Sequence, residues 1–190
     1  SRPVLTGIYF HSDKGRLFIA ATDSYRLAEK DIMATKEEID LLIPVTAMQE
    51  LLRIIDDGDD QISVTHDEQQ VLFTVGDIEL VARLIDGNYP DYKKLIPEKF
   101  QVVASTKKAD FANITKVSSL FARESAGSVS IDVNEESQQI SIHSIASQLG
   151  ENTAASDAKV KGAGAITLNS RYIIDALHAC LGDEVELAFN

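Results

Sequence analysis

The chain is poor in the residues that make cross-links, bind metals or cross membranes. A single cysteine, Cys180, in 190 residues excludes an internal disulfide. Its place on the apolar side of a helix-like segment predicts a buried structural thiol rather than a reactive one. The simplest setting is a reducing cytoplasm. No apolar run approaches the ~20 residues that span a bilayer, mean hydropathy is close to zero, and no charged-then-apolar leader opens the chain. Positive charge is also scarce, with 18 Lys and Arg against 30 Asp and Glu and a net charge of −12. Through Lys99 the count is 11 basic to 19 acidic, and after it 7 to 11. Neither half resembles an ordinary basic nucleic-acid module, although a local basic face is compatible with net acidity.

Chemistry is equally thin. His11, His66, His143 and His178 show no ligand-like spacing to one another or to Cys180, so no metal site is expected. Gly162-Ala163-Gly164 lacks the continuation of a phosphate loop and reads as a tight turn before a strand. Asn113-Ile114-Thr115 matches a glycosylation sequon but falls mid-helix in a chain without a secretory signal. The acidic pairs Asp56-Asp57, Asp59-Asp60 and Glu135-Glu136 sit in expected turns, where solvated charge explains them better than acid/base work does. No Ser–His–Asp or Cys–His arrangement stands out, so no catalytic residue is assigned.

What the chain does contain is a repeated pattern. In VTAMQELLRIID, Met48, Leu51, Leu52 and Ile55 fall at helical spacing. An Asp/Gly turn over 56–60 and strand-like runs at Gln61–His66, Val71–Val75 and Ile78–Leu84 follow. Gln101–Ala104 is again strand-like, with Ser105 as an expected N-cap. The helix after it carries a stripe of Phe111, Ile114, Val117 and Phe121, then come strands Val129–Val133 and Gln139–Ser144. Finally Ile166–Leu168 leads, through Asn169 or Ser170 as N-cap, into the helix of Ile173, Leu177 and Cys180 and the strand Val185–Phe189. Placing IPVTAMQELL over LNSRYIIDAL superposes Met48 on Ile173 and Leu52 on Leu177, a domain-sized period. The unit of strand, helix and several antiparallel strands occurs about three times, the first copy entering at strands Val4–Phe10 and Leu17–Ala21. The expected class is α+β, with single helices covering one face of antiparallel sheets. Opening at Ser1-Arg2-Pro3 without a methionine, the chain is expected to be a piece of a longer protein.

Two segments resist a purely structural reading. Arg83–Pro97, RLIDGNYPDYKKLIP, reads as strand through Ile85, then a turn at Asp86-Gly87-Asn88. Pro90 and Pro97 are expected to keep the rest extended, with Tyr89, Tyr92, Leu95 and Ile96 near the surface. That suits docking of another protein. Thr22–Ala28, TDSYRLA, reads on residues alone as a polar hairpin turn.

Together with RPVLTGIYF at Arg2–Phe10, ATDSYRLA at Ala21–Ala28, SLFARE at Ser119–Glu124 and LNSRYIIDAL at Leu168–Leu177, these stretches resemble the bacterial sliding clamp family, the beta subunit of DNA polymerase III. The resemblance covers essentially the whole chain. It implies that residues 1–98 are most of a middle clamp domain, lacking its first strand and helix. Residues 99–190 would be a third domain lacking its last strands. The family's function is processivity: two subunits close into a homodimeric ring around duplex DNA and tether the polymerase without making or breaking a bond. The implied partners are duplex DNA, the replicative polymerase alpha subunit, the clamp loader delta subunit, and other polymerases and repair proteins carrying clamp-binding motifs. No cofactor and no membrane are implied.

Carried over position by position, the family's peptide pocket uses Leu5, Thr22, Ser24, Tyr25, Arg26, Leu27, Pro90, Lys94 and Leu95. Leu5, Leu27, Pro90 and Leu95 would form its floor, and Thr22 and Arg26 its rim. One Leu- or Phe-sized anchor is worth roughly 1.5–3 kcal/mol, which fits micromolar, exchangeable docking. A further wall is expected from strands beyond residue 190. The family's subunit interface falls on Leu120 and Phe121. The helices face the hole, making Arg53, Lys107, Lys116 and Arg171 DNA-facing, and a sliding ring should hold phosphates only weakly. Some departures stand out. Pro3-Val4 replaces a tyrosine pair found in some members, Ser24-Tyr25 replaces Gly-His, Lys94 replaces Arg, and the segment 147–157 holds only Glu151 and Asp157 where some members are densely acidic. Two other readings compete: an unrelated α+β peptide-binding adaptor, and an acid/base enzyme using Asp23 and Arg26.

Overall fold

The computed structural model describes residues 2–55, 61–146 and 150–190. The turn expected at 56–60, with its acidic pairs, and residues 147–149 lie outside the described residues. The chain forms two compact units, Ser1–Lys93 and Lys94–Asn190, so the division falls inside the Arg83–Pro97 crossover.

In the first unit β1 (Gly7–Asp13), β2 (Arg16–Thr22), β3 (Leu27–Ala34) and β4 (Asp40–Pro44) make one antiparallel sheet in the order β3-β2-β1-β4. Lys14 and Gly15, both at positive φ, close the β1–β2 hairpin, the conformation that matches strand twist in two-residue loops. After helix α1 (Val45–Ile54) come β5 (Ser63–His66), β6 (Gln70–Val75) and β7 (Ile78–Arg83), a second sheet. The alternation in β6 buries Val71, Phe73 and Val75 against Leu41 and Ile43 of β4 and Ala47 and Leu51 of α1, as a strand of period two requires.

The second unit repeats the plan. β8 (Val102–Lys107) and α2 (Lys108–Phe121) precede β9 (Ser128–Asn134), β10 (Gln139–Ala146), β11 (Gly150–Asp157), β12 (Lys159–Lys161) and β13 (Gly164–Asn169). Helix α3 (Ser170–Ala179) and β14 (Glu184–Phe189) end the chain. The sheet order β11-β10-β9-β13 matches β3-β2-β1-β4 strand for strand, while β8 lies between β12 and β14. α2 packs on α3 and on β10 and β11. Phe111, Ile114, Ile131, Ile140, Ile142, Ile173 and Leu177 share one core.

Several elements depart from the sequence expectation. Val4 and Leu5 are not strand. Pro3 has no N–H and starts a 3₁₀ turn over Pro3–Thr6, closed by the Leu5 N–H on Arg2 O at 3.0 Å and the Thr6 hydroxyl on Pro3 O at 2.7 Å. Ser105 is not an N-cap: it lies inside β8, opposite Lys159 on one side and Glu186 on the other, and Lys107 caps α2. Asn169 does cap α3, its side chain accepting from Arg171 N–H. The inner face of α2 is Phe111, Ile114, Thr115 and Ser118, and Val117 points outward. The Thr115 hydroxyl can be buried because it donates to Phe111 O at 2.7 Å, and Ser118 Oγ accepts from Asn152 Nδ2 at 3.2 Å. Cys180 is exposed, because α3 ends at Ala179 and the chain leaves it extended.

The internal repeat is also sharper than its apolar pattern. α1 and α3 are each ten residues long and start 125 positions apart. Yet Leu52 is 71% exposed where Leu177 is 4% exposed. α3 has α2 beside it, whereas no second α-helix lies among the described residues of the first unit. α1 therefore buries only Ala47 and Leu51.

Two positions in the second unit yield stability predictions. Gly162, at φ +80°, would place a Cβ 2.4 Å from the Gln101 carbonyl oxygen. Gly162→Ala is expected to cost about 2 kcal/mol, read as a lower urea midpoint. Ser144 Oγ is buried and has no hydrogen-bond partner among the described residues. Ser144→Ala should therefore raise the unfolding free energy by about 1 kcal/mol in the same assay.

Candidate functional site

The hairpin between β2 and β3 is built to hold one shape. Asp23 Oδ1 accepts the backbone N–H groups of Tyr25 and Arg26, both at 3.0 Å, and Oδ2 accepts Arg26 Nε at 3.1 Å. Thr22 Oγ1 donates to Arg26 O at 2.7 Å and accepts Ser24 N–H at 3.2 Å. Ser24 sits at φ +77°. The Tyr25 amide, followed by Arg26, holds the Asp23 carboxyl below its ordinary pKa. A carboxylate so fully occupied as a turn former is poorly suited to take or give a proton, and this weighs against the acid/base reading of Asp23 and Arg26. With the turn fixed, Tyr25 projects into solvent at 82% exposure, and Leu27, half-buried, opens β3 opposite Thr22.

Within the first unit the 3₁₀ turn meets the crossover at Gly87, and the crossover approaches the hairpin through Tyr89. Val4, beside Leu5 in the 3₁₀ turn, fills the space a Cβ would need on Gly87: that Cβ would lie 2.7 Å from Val4 Cγ1. Glycine at φ +134° lets the crossover pass there. Further along, Tyr89 stacks on Tyr9 at 4.7 Å. Its hydroxyl is buried without a hydrogen-bond partner of ordinary geometry among the described residues; burial raises its pKa and the Thr22 backbone opposes the rise. Burial and then Asp40 push the Tyr9 phenol up to about 12.

The crossover is not extended throughout. The Tyr92 N–H bonds Pro90 O at 2.8 Å, and Tyr92–Leu95 coils into a 3₁₀ turn. Tyr92 is buried, while Pro90, Lys94 and Leu95 are exposed. Within the first unit the structure thus joins the turn of Leu5 to the crossover at Gly87, and the crossover to Thr22 through Tyr89. Lys94 and Leu95 follow directly on the same turn as Tyr92.

The remaining candidates are scattered. Arg53 lies on α1, paired with Glu50 at 2.5 Å. Leu120, exposed, and Phe121, half-buried, end α2. Lys107 and Lys116 line an open cleft of about 550 Å³ that also takes in Lys108 and His178. Asp183 and Glu184 line the same cleft, so its charge is mixed. Arg171, in the first turn of α3, does not line it. Among the described residues no group of three or more His, Cys, Asp or Glu is placed to hold a metal, and no helix is long and apolar enough to cross a membrane.

The family model for the DNA polymerase III beta subunit central domain matches residues 1–91, and that for its C-terminal domain matches residues 93–190. The chain belongs to the DNA polymerase III beta subunit family. The beta sliding clamp of Staphylococcus epidermidis is 35% identical over the whole chain, and that of Staphylococcus aureus 34%. The chain spans about half the length of these curated relatives. Among solved structures, the DNA polymerase sliding clamp from Bacillus subtilis superposes with a TM-score of 0.92 at 30% identity, covering 100% of this chain and 51% of that one. The beta subunit from Thermotoga maritima gives 0.86 at 27%, covering 98% and 51%. The antiparallel sheets and helices described above are those of the beta-clamp fold.

Proposed function

We propose that this chain serves as the docking and ring-forming part of a replication processivity clamp. It carries no catalytic site of its own. It tethers a polymerase to duplex DNA by encirclement, and its partners are the polymerase, the clamp loader and repair proteins, which present short peptides ending in hydrophobic side chains. The peptide lies over Leu5, Thr22, Ser24, Tyr25, Arg26, Leu27 and Pro90, with Lys94 and Leu95 completing the contact. Leu120 and Phe121 meet the neighbouring subunit. Arg53, Lys107, Lys116 and Arg171 face DNA, with few enough phosphate contacts to permit sliding. The observation that carries the docking reading is an internally hydrogen-bonded hairpin, approached at Thr22 by the crossover that carries Pro90, in a chain similar along its whole length to beta sliding clamps.

The test is a fluorescence anisotropy titration of this chain with a fluorescein-labelled peptide ending in Leu-Phe. Micromolar binding is expected, abolished by Leu27→Asp and retained by Asp67→Asn, whose carboxylate only closes the β5–β6 turn. Binding that survives Leu27→Asp would remove the pocket assignment.

A further inference from the structure

The Pro90 turn is fastened to the first unit by a polar relay that docking itself does not explain. His11 of β1 is 8% exposed, stacked on Tyr9 at 4.8 Å and facing Phe18 at 5.7 Å. His11 Nε2 lies 2.7 Å from the Tyr92 hydroxyl oxygen, and the Tyr92 hydroxyl donates to the Glu29 carboxylate of β3. A phenol has one proton to give, so its oxygen must accept from Nε2–H of His11. That selects one tautomer of the ring and links β1, β3 and the crossover in a single line. Tyr92 then reaches back through its N–H to Pro90 O, and Tyr89 on the other side of Pro90 is clasped by Tyr9.

We propose that His11 and Tyr92 are positioning residues for peptide docking, holding Pro90 and the following turn in shape, and that docking weakens when His11 takes up a proton. This rests on the docking reading above. The charged groups around His11 come from every element packed on it. Asp13 follows it on β1, Glu29 approaches from β3, and Asp40 sits opposite in the β1–β4 register, close to Tyr9. From the crossover comes Lys93, paired with Asp13 at 2.6 Å and lying 4.1 Å over the Phe18 ring. Burial, then Lys93, oppose the imidazolium; Glu29, Asp13 and the Ser12 backbone favour it, and the opposing side prevails, so the His11 pKa is lowered. A loosened turn would return His11 toward its ordinary value of about 6.5. The fastened turn therefore has its full advantage above about pH 6.5 and loses it as pH falls through the lower pKa of the closed form.

The experiment repeats the titration with the same Leu-Phe peptide from about pH 8 to about pH 5, the range in which histidine titrates. The wild-type chain is expected to lose affinity below about pH 6.5. Tyr92→Phe removes both hydrogen bonds of the hydroxyl and should bind at least about fivefold more weakly at neutral pH, with a flattened profile. Glu29→Gln keeps an acceptor for Tyr92 but removes a charge that favours the imidazolium. It should bind normally at neutral pH. Lowering the pKa of the closed form widens its gap from the open form, so affinity should start to fall near the same pH as in wild type and fall by a larger factor by about pH 5. A merely structural role would not produce that shift in profile. Thermal unfolding checks that each variant is folded, and if Tyr92→Phe is not, the Glu29→Gln shift decides. A wild-type profile flat in pH, or Tyr92→Phe binding like wild type, overturns the positioning role while loss on Leu27→Asp leaves docking standing. Undiminished binding by Leu27→Asp overturns both.

Discussion

Leu27→Asp is expected to weaken docking of a Leu-Phe peptide by at least about 100-fold, which is about 2.7 kcal/mol. Two terms add. The apolar contact made by Leu27 is lost, worth up to roughly 1.5–3 kcal/mol for a fully buried side chain. The bound peptide would also bury a carboxylate with no assigned partner, a further penalty. The fold should tolerate the change. Leu27 is only half-buried and stands at the end of β3, and the turn before it is closed by Thr22 and Asp23 rather than by its own side chain. An unchanged urea midpoint together with lost anisotropy would locate the defect at the docking surface.

The largest stability effect is expected from Phe73→Ala, about 3–5 kcal/mol. Phe73 is 1% exposed at the centre of β6, enclosed by Leu41, Ile43, Leu51, Val71 and Val75. Removing its ring leaves a cavity where β4 of one sheet, β6 of the other and α1 meet, and domains of this size are stable by only about 5–15 kcal/mol. Urea unfolding should show a lower midpoint for the first unit with little change in slope. Val81→Ala, exposed on the neighbouring strand β7, should stay within about 0.5 kcal/mol. A loss below about 1 kcal/mol for Phe73→Ala would mean that the β6 core is not packed as described.

How far the sequence carries can be judged element by element. The strands of β6, β9 and β10 were legible because strict alternation places Val71, Phe73 and Val75, or Ile140 and Ile142, on one face. The inner face of α2 was not, because two of its four buried positions are Thr115 and Ser118. Their hydroxyls are satisfied by partners that periodicity does not reveal, Phe111 O and Asn152 Nδ2. Leu52 looked like core because a side chain's apolar character says nothing about whether a neighbouring helix covers it. The proposed docking residues were legible only through family resemblance, since TDSYRLA taken alone is a good hairpin turn and nothing more. His11, Glu29 and Tyr92 had no local signal: the contacts that join them span 81 and 63 positions of chain.

The exposed position of Cys180 has a practical consequence. A chain with one thiol, presented to solvent just past the end of α3, can be coupled to a single maleimide dye without mutagenesis. The Cys180 carbonyl already accepts Lys108 Nζ at 3.0 Å, and His178, two residues earlier, lines the same cleft as Lys107 and Lys116. A fluorophore attached there would stand beside the lysines assigned to DNA, so changes in its brightness or anisotropy could follow duplex arrival in real time with an otherwise native sequence.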